Sequence, residues 1–435
     1  MARVQATRIT ASYRRRYGPS LLAFVVLTAA LRRPIVEAIA MSPQGFASRL
    51  EPLASTDLVY VLALLPGVLA APKAWTRLHA ESRTSARLGL ALGAISLVSG
   101  SWSADPAASV GTIGMALVTA VAFLGATTWF VSPDQHRAVA ILGTLALWLL
   151  ASVWVLRYTA GWSRRQSSSD LLGADWVGLF RFGNSLGEYA GITALVATST
   201  LLAALRQRRW AVAAVTTALL QLAVLVVVQS GHTTGSIGLI CAVVATMAII
   251  AARLLVGKRA RSDRRATTLA VGLPAATSLG LVGIILLGDQ VSELLGKPPG
   301  LHRTRFWVEA LTGARERPLF GWGWDGYMSD PAYGALFENW SRLDPHNFFL
   351  QVLLSAGIFA FGLVIAWTLH GLYLCGLAVS RGANPITFVA LPVFMIVCLT
   401  ATTIGVLNVY LIAVLAMVFV LAGEEAAQRA PSAAS

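Results

Sequence analysis

The chain has 435 residues, of which 56% are hydrophobic and 12% charged, with a mean hydropathy of +0.68. Ordinary soluble domains do not carry that balance, so the composition excludes one and places the chain among polytopic helical membrane proteins. The formal net charge of +14 is read as cytoplasmic loops facing anionic lipid and not as a nucleic-acid surface.

A helix that crosses ~30 Å of hydrocarbon needs about 20 residues. Apolar runs of that order lie at 18–40, 56–73, 86–103, 108–131, 137–156, 186–205, 210–229, 235–254, 267–288, 347–374, 385–402 and 406–422. They predict an all-α polytopic protein with about twelve transmembrane helices. Arg32, Arg33 and Pro34 interrupt the first run and mark a kink or a shortened span. Residues 1–17 form a basic cytoplasmic tail and not a signal peptide, because no small-residue cleavage site precedes Arg32. Residues 18–422 form one transmembrane domain, and residues 423–435 a second cytoplasmic tail. Cys241, Cys375 and Cys398 all fall inside apolar runs, so they are packing residues and not a disulfide or metal framework.

Lysine and arginine set the orientation. Arg14, Arg15, Arg16, Arg206, Arg208, Arg209 and the cluster from Lys258 to Arg265 fall in short segments, which the positive-inside rule assigns to the cytoplasm with both termini. Two long loops then face outward, 157–185 and 289–346, the larger one between the ninth and tenth predicted helices. They carry arginines against that trend, which headgroup snorkelling explains one at a time but not as a cluster.

In the first outer loop Arg164 and Arg165 sit in a Ser-rich piece, and Arg181 and Asn184 stand at the entrance of the sixth helix. Glu188, at i+4 from Asn184, is costly against lipid and is expected to face the protein interior or water, or to neutralise Arg181. His232 in the short turn QSGHTTGSIG is either a second proton carrier or a structural residue. In the large loop Arg303, Trp307 and Ala310 share a helical face, so HRTRFWVEALTGA predicts an amphipathic surface helix ended by Gly313. Trp307, Trp322, Trp324, Tyr327 and Trp340 offer flat faces suited to sugars or to the membrane interface. Asp344 is expected to cap the tenth helix, with His346 in its first turn either facing a cavity or serving a structural role.

The pattern Arg303-x-x-x-Trp307, the segment Pro318-Leu319-x-Gly-Trp-Gly ending at Gly323, and His346-Asn347-x-Phe-Leu-Gln351 followed by Gly357 resemble the signature region of the O-antigen ligase and polysaccharide polymerase superfamily. GLFRFGNSLGEYA resembles that family's Gly-Phe-Gly-Asn entrance to a middle helix, whereas the Ser-Arg step usual near the eighth helix is missing. The resemblance implies a glycosyltransferase that works without metal or cofactor on the outer face of the cytoplasmic (inner) membrane. Its donor would be a glycan on a polyprenyl (undecaprenyl) diphosphate, and its acceptor a lipid or a saccharide.

The residue chemistry agrees with that implication. Arginines stabilise the charge gathering on a leaving diphosphate, and a histidine removes the proton of an attacking hydroxyl. The outward loops contain no DxD or DxxD cluster of the kind that holds a divalent ion on a diphosphate. On this reading His346 is the general base and Arg303 the principal diphosphate ligand. Arg305, Arg181, Asn347, Trp307 and Asn184 are further substrate contacts, and inversion at the anomeric carbon is expected. Ligation and chain polymerisation are both open, and a transporter is the alternative from another class.

Overall fold

The computed structural model describes residues 57–128, 183–230, 233–255, 271–273, 277, 301–324, 327, 330–336, 345–400 and 409–429. Among them every regular element is helical: α1 (Asp57–Trp75), α2 (Ala80–Ser99), α3 (Pro106–Thr128), α4 (Gly183–Arg206), α5 (Trp210–Gln229), α6 (Thr233–Leu255), α7 (Leu301–Glu316), α8 (Pro331–Gly334), α9 (Phe348–Ser380), α10 (Leu391–Leu399) and α11 (Val409–Gln428). Four of these contain stretches long and apolar enough to cross a membrane: Leu186–Arg206, Trp210–Gln229, Phe348–Ser380 and Tyr410–Gln428. The predicted runs at 18–40 and 137–156, and nearly all of 267–288, lie outside the described residues.

The run at 347–374 continues to Ser380 and is broken at Gly357, where φ is 77° and ψ −172°. The run expected at 385–402 is not one plain helix. It starts as a π-helical turn, Ile386–Ala390, and only then becomes α10, with Pro392 in its first turn. Proline lacks the N–H that an α-helical start would leave unpaired anyway, so it is tolerated there.

The chain divides into two compact units, Met1–Leu78 with Val118–Leu239, and His79–Leu117 with Ile240–Ser435. In the first, α1 meets the C-terminal half of α3 at a crossing where no side chain fits. A Cβ on Gly125 would lie 1.8 Å from the Gly67 carbonyl oxygen, and one on Gly67 would lie 2.6 Å from that of Ala122. The Tyr60 hydroxyl and Thr119 Oγ1, 2.8 Å apart, join the same pair of helices. Helices α4 and α5 form an antiparallel hairpin through the turn at Arg208, whose φ is 55°. Within them Thr193, Thr198, Thr200, Thr216 and Thr217 each donate a hydroxyl to the carbonyl four residues back. Water is absent from a bilayer core, so this internal acceptor removes the cost of a bare hydroxyl.

The second unit is built on α9, flanked by α2 and α11. Small residues let the helices touch: Gly371 faces the Phe419 ring, and Gly423 faces Ser82. Trp367 packs edge-on to Phe419 with centroids 5.2 Å apart. At one end the Glu424 carboxylate accepts both the His79 backbone N–H and the His79 imidazole at 2.8 Å, which caps α2 from outside its own sequence. Cys375 and Cys398 are fully buried, as expected of packing residues.

Candidate functional site

The site grows from the break in α9. Pro318 follows α7, and the chain doubles back through Gly321 and Gly323, whose φ values of 67° and 85° belong to the left-handed region that glycine tolerates. This Pro318–Gly323 segment pairs with the broken helix through its backbone. Trp322 N donates to Leu354 O at 2.9 Å, Gly323 N to Ser355 O at 2.9 Å, and Ile358 N to Pro318 O at 2.8 Å. A helix broken at Gly357 leaves carbonyls and an N–H without their usual partners, and the doubled-back segment supplies them. The approach is too close for side chains: a Cβ at Gly357 would stand 2.2 Å from Leu319 O, and one at Gly321 would stand 2.4 Å from the Ser355 carbonyl carbon.

Beside this pairing lies a small aromatic core. Trp322, Tyr327 and Tyr333 are buried at 3%, 0% and 4% exposure, with Ala310 and Leu354. The Tyr333 ring meets Trp322 at 5.3 Å and Tyr327 at 5.5 Å, both edge-on. Trp322 Nε1 donates to Gly313 O at 2.8 Å, and the Arg317 guanidinium lies 3.9 Å over the Trp322 ring while reaching Asp330 at 3.8 Å. Burial, reinforced by Glu309, pushes the Tyr333 phenol up to about 12. Trp324 is also buried, and its carbonyl accepts from Ser109 Oγ.

These contacts correct two expectations. Trp322, Trp324 and Tyr327 are buried and so are neither sugar-stacking nor membrane-interface faces; Trp322 and Tyr327 belong to the core that holds the loop, and Trp324 packs against Phe348. Gly313 does not end its helix, since α7 runs on to Glu316. Its missing side chain instead admits the Tyr333 ring, from which a Cβ would be 2.5 Å away. Trp340 lies outside the described residues.

His346 stands just before α9 and is exposed, with a φ of 45°. The expectation that Asp344 caps this helix with His346 in its first turn is corrected. Asn347 is the cap: its Oδ1 accepts from Phe349 N at 3.0 Å and Leu350 N at 3.2 Å. Asp344 itself lies outside the described residues. Asn347, expected among the substrate contacts, is 5% exposed and has its carboxamide oxygen committed to that cap. Trp307, partly buried on α7, donates Nε1–H to Pro345 O at 3.1 Å. Its neighbour Phe306 places a ring 6.0 Å from the His346 imidazole at 49°.

Arg303 and Arg305 fall in the first turns of α7 and are described by their backbone. The structure therefore brings the helix bearing both arginines to the peptide bearing His346. Asn184 is in the first turn of α4, in the other unit. Glu188 is 2% exposed, in keeping with the interior position expected of it. Arg181, Arg164, Arg165 and His232 lie outside the described residues. Among the described residues no three His, Cys, Asp or Glu side chains gather in a metal-binding group.

Phe306, the Pro345 carbonyl and Ser109 were not singled out in the sequence. Ser109 and Trp324 are 215 residues apart and nothing local announces their contact. Phe306 is adjacent to a residue that was singled out, and its place on the helix was the available signal. No protein-family model matches the chain, and no curated protein matches it in sequence.

Proposed function

We propose that the chain is an inverting glycosyltransferase of the O-antigen ligase type, moving a glycan from a polyprenyl diphosphate to a lipid or saccharide hydroxyl at the outer face of the cytoplasmic membrane. The observation that carries this reading is the exposed His346, tied through Pro345 and Trp307 to the helix that begins with Arg303 and Arg305. About twelve membrane helices and an outward-facing loop belong to the same proposal.

In the reaction the acceptor oxygen attacks the anomeric carbon from the face opposite the diphosphate. Its proton passes to an imidazole nitrogen of His346 as the new glycosidic bond forms. The bond from the anomeric carbon to the phosphate oxygen breaks, and the electron pair leaves with the diphosphate. Arg303, with Arg305, holds the charge that gathers there; a guanidinium does this with paired N–H donors and stays charged throughout.

The test is glycan transfer in membranes with a polyprenyl-diphosphate-linked donor and a metal chelator present. His346→Ala and Arg303→Ala are each expected to lose about 10²-fold or more, with the chelator harmless. Full transfer by His346→Ala would remove the general base, and substrate uptake would then be the assay to run. A single added glycan unit identifies a ligase, and a ladder of products a polymerase.

A further inference from the structure

The indole of Trp307 spends its only polar group on the main chain. Its Nε1–H donates to the Pro345 carbonyl at 3.1 Å. That oxygen belongs to the planar peptide whose nitrogen is His346 N, so holding it orients the plane through which His346 is attached. On the other side, the Asn347 side chain is fixed by the N–H groups of Phe349 and Leu350. His346 thus stands between an anchored peptide and an anchored side chain, and its φ of 45° costs a non-glycine residue about 1 kcal/mol. A strained conformation of that kind persists where its surroundings hold it from both sides.

The same turn of α7 supplies a wall, because Phe306 stands 6.0 Å from the imidazole. Helix α7 is itself docked firmly: Ala310 and Ala314 are buried, and Gly313 is pressed against Tyr333 and Leu354. Arg303 lies one turn before Trp307 in that helix. A single docked element therefore carries the first arginine and the anchor of the histidine.

We infer that Trp307 is a positioning residue for His346 and not a sugar-stacking face. The consequence for catalysis rests on the glycan-transfer reading above; the positioning itself does not.

Trp307→Phe keeps an aromatic ring and deletes the N–H, and Val308→Ala, at an exposed neighbouring position, is the control. Two readouts are taken on the full-length protein in membranes. In the transfer assay Trp307→Phe is expected to lower kcat about tenfold, the scale of one hydrogen bond, with KM for the lipid-linked donor unchanged. In the second, carbethoxylation by diethyl pyrocarbonate is followed at His346 and at His79 by mass spectrometry. Trp307→Phe is expected to change the rate at His346 while His79 keeps its own. A loss confined to KM would mean that Trp307 touches the donor, and would overturn the inference. So would an unchanged rate at His346, or a parallel change at both histidines, which would mark a general loosening of the fold. If the wild type transfers no glycan, the functional reading fails alone, and the ratio of the two modification rates still decides the role of Trp307.

Discussion

His346 pairs an exposed imidazole with a left-handed backbone, and the two properties separate by substitution. Glycine adopts that conformation freely, so His346→Gly is expected to be more stable than His346→Ala by about 1 kcal/mol, although both lose transfer. Thermal unfolding in detergent measures the difference; an Ala variant as stable as the Gly variant would show that the backbone is not strained there. Tyr333 makes a second residue-scale prediction. Its phenol, raised to about 12 from 10.0 by burial and then by Glu309, keeps its proton in the folded protein after the unfolded chain has lost it. The folded state binds more protons between those two values, so the stability from this group is whole below pH 10 and falls as pH rises toward 12. Tyr333→Phe should flatten that fall in an alkaline unfolding series. The residue types in this loop were readable as chemistry, but their fates were not. Trp322 and Trp324 present the same indole to a sequence reader as Trp307, and only their neighbours decide that two are core and one is an anchor.

At the scale of elements, the pairing of Pro318–Gly323 with the break in α9 is the feature on which the loop depends. Gly357→Ala would place a Cβ 2.2 Å from Leu319 O at a φ of 77°. It is expected to cost about 2 kcal/mol or more through contact and backbone strain together. Gly362 lies in the same helix with nothing within 4 Å of its missing Cβ. Gly362→Ala should be neutral or stabilising by up to about 1 kcal/mol. The pair, compared by melting temperature, separates a required glycine from a tolerated one; equal effects would refute the pairing. Helix placement was legible because an apolar run of membrane length is a local property. The break at Gly357 was not legible, since the partner that satisfies its backbone arrives from another part of the chain.

For the whole molecule, the orientation proposed from the charge distribution is open to labelling. Ala332, beside Tyr333 in the segment ahead of α9, and Gln428, at the end of α11, are both exposed. With Cys241, which is partly exposed, changed to Ser, a membrane-impermeant thiol reagent on intact cells should label Ala332→Cys and spare Gln428→Cys. The reverse pattern would invert the topology and move His346 to the cytoplasmic face. Beyond the break at Gly357 helix α9 continues over residues 358–380, about 35 Å at 1.5 Å per residue, long enough to cross ~30 Å of hydrocarbon.

The sequence by itself pointed to an all-helical, apolar molecule and, among the described residues, to where most of its long helices lie, because burial in hydrocarbon depends on the length and composition of one contiguous stretch. It also singled out His346 and the arginines of α7, since charge and titratable nitrogen are properties of single side chains. The tertiary structure alone decided that Asn347 and not Asp344 caps α9, that Gly313 admits Tyr333, and that Trp307 reaches Pro345 across 38 residues. A hydrogen bond or a close contact is defined by two partners, and when they are distant in the chain neither one records the other.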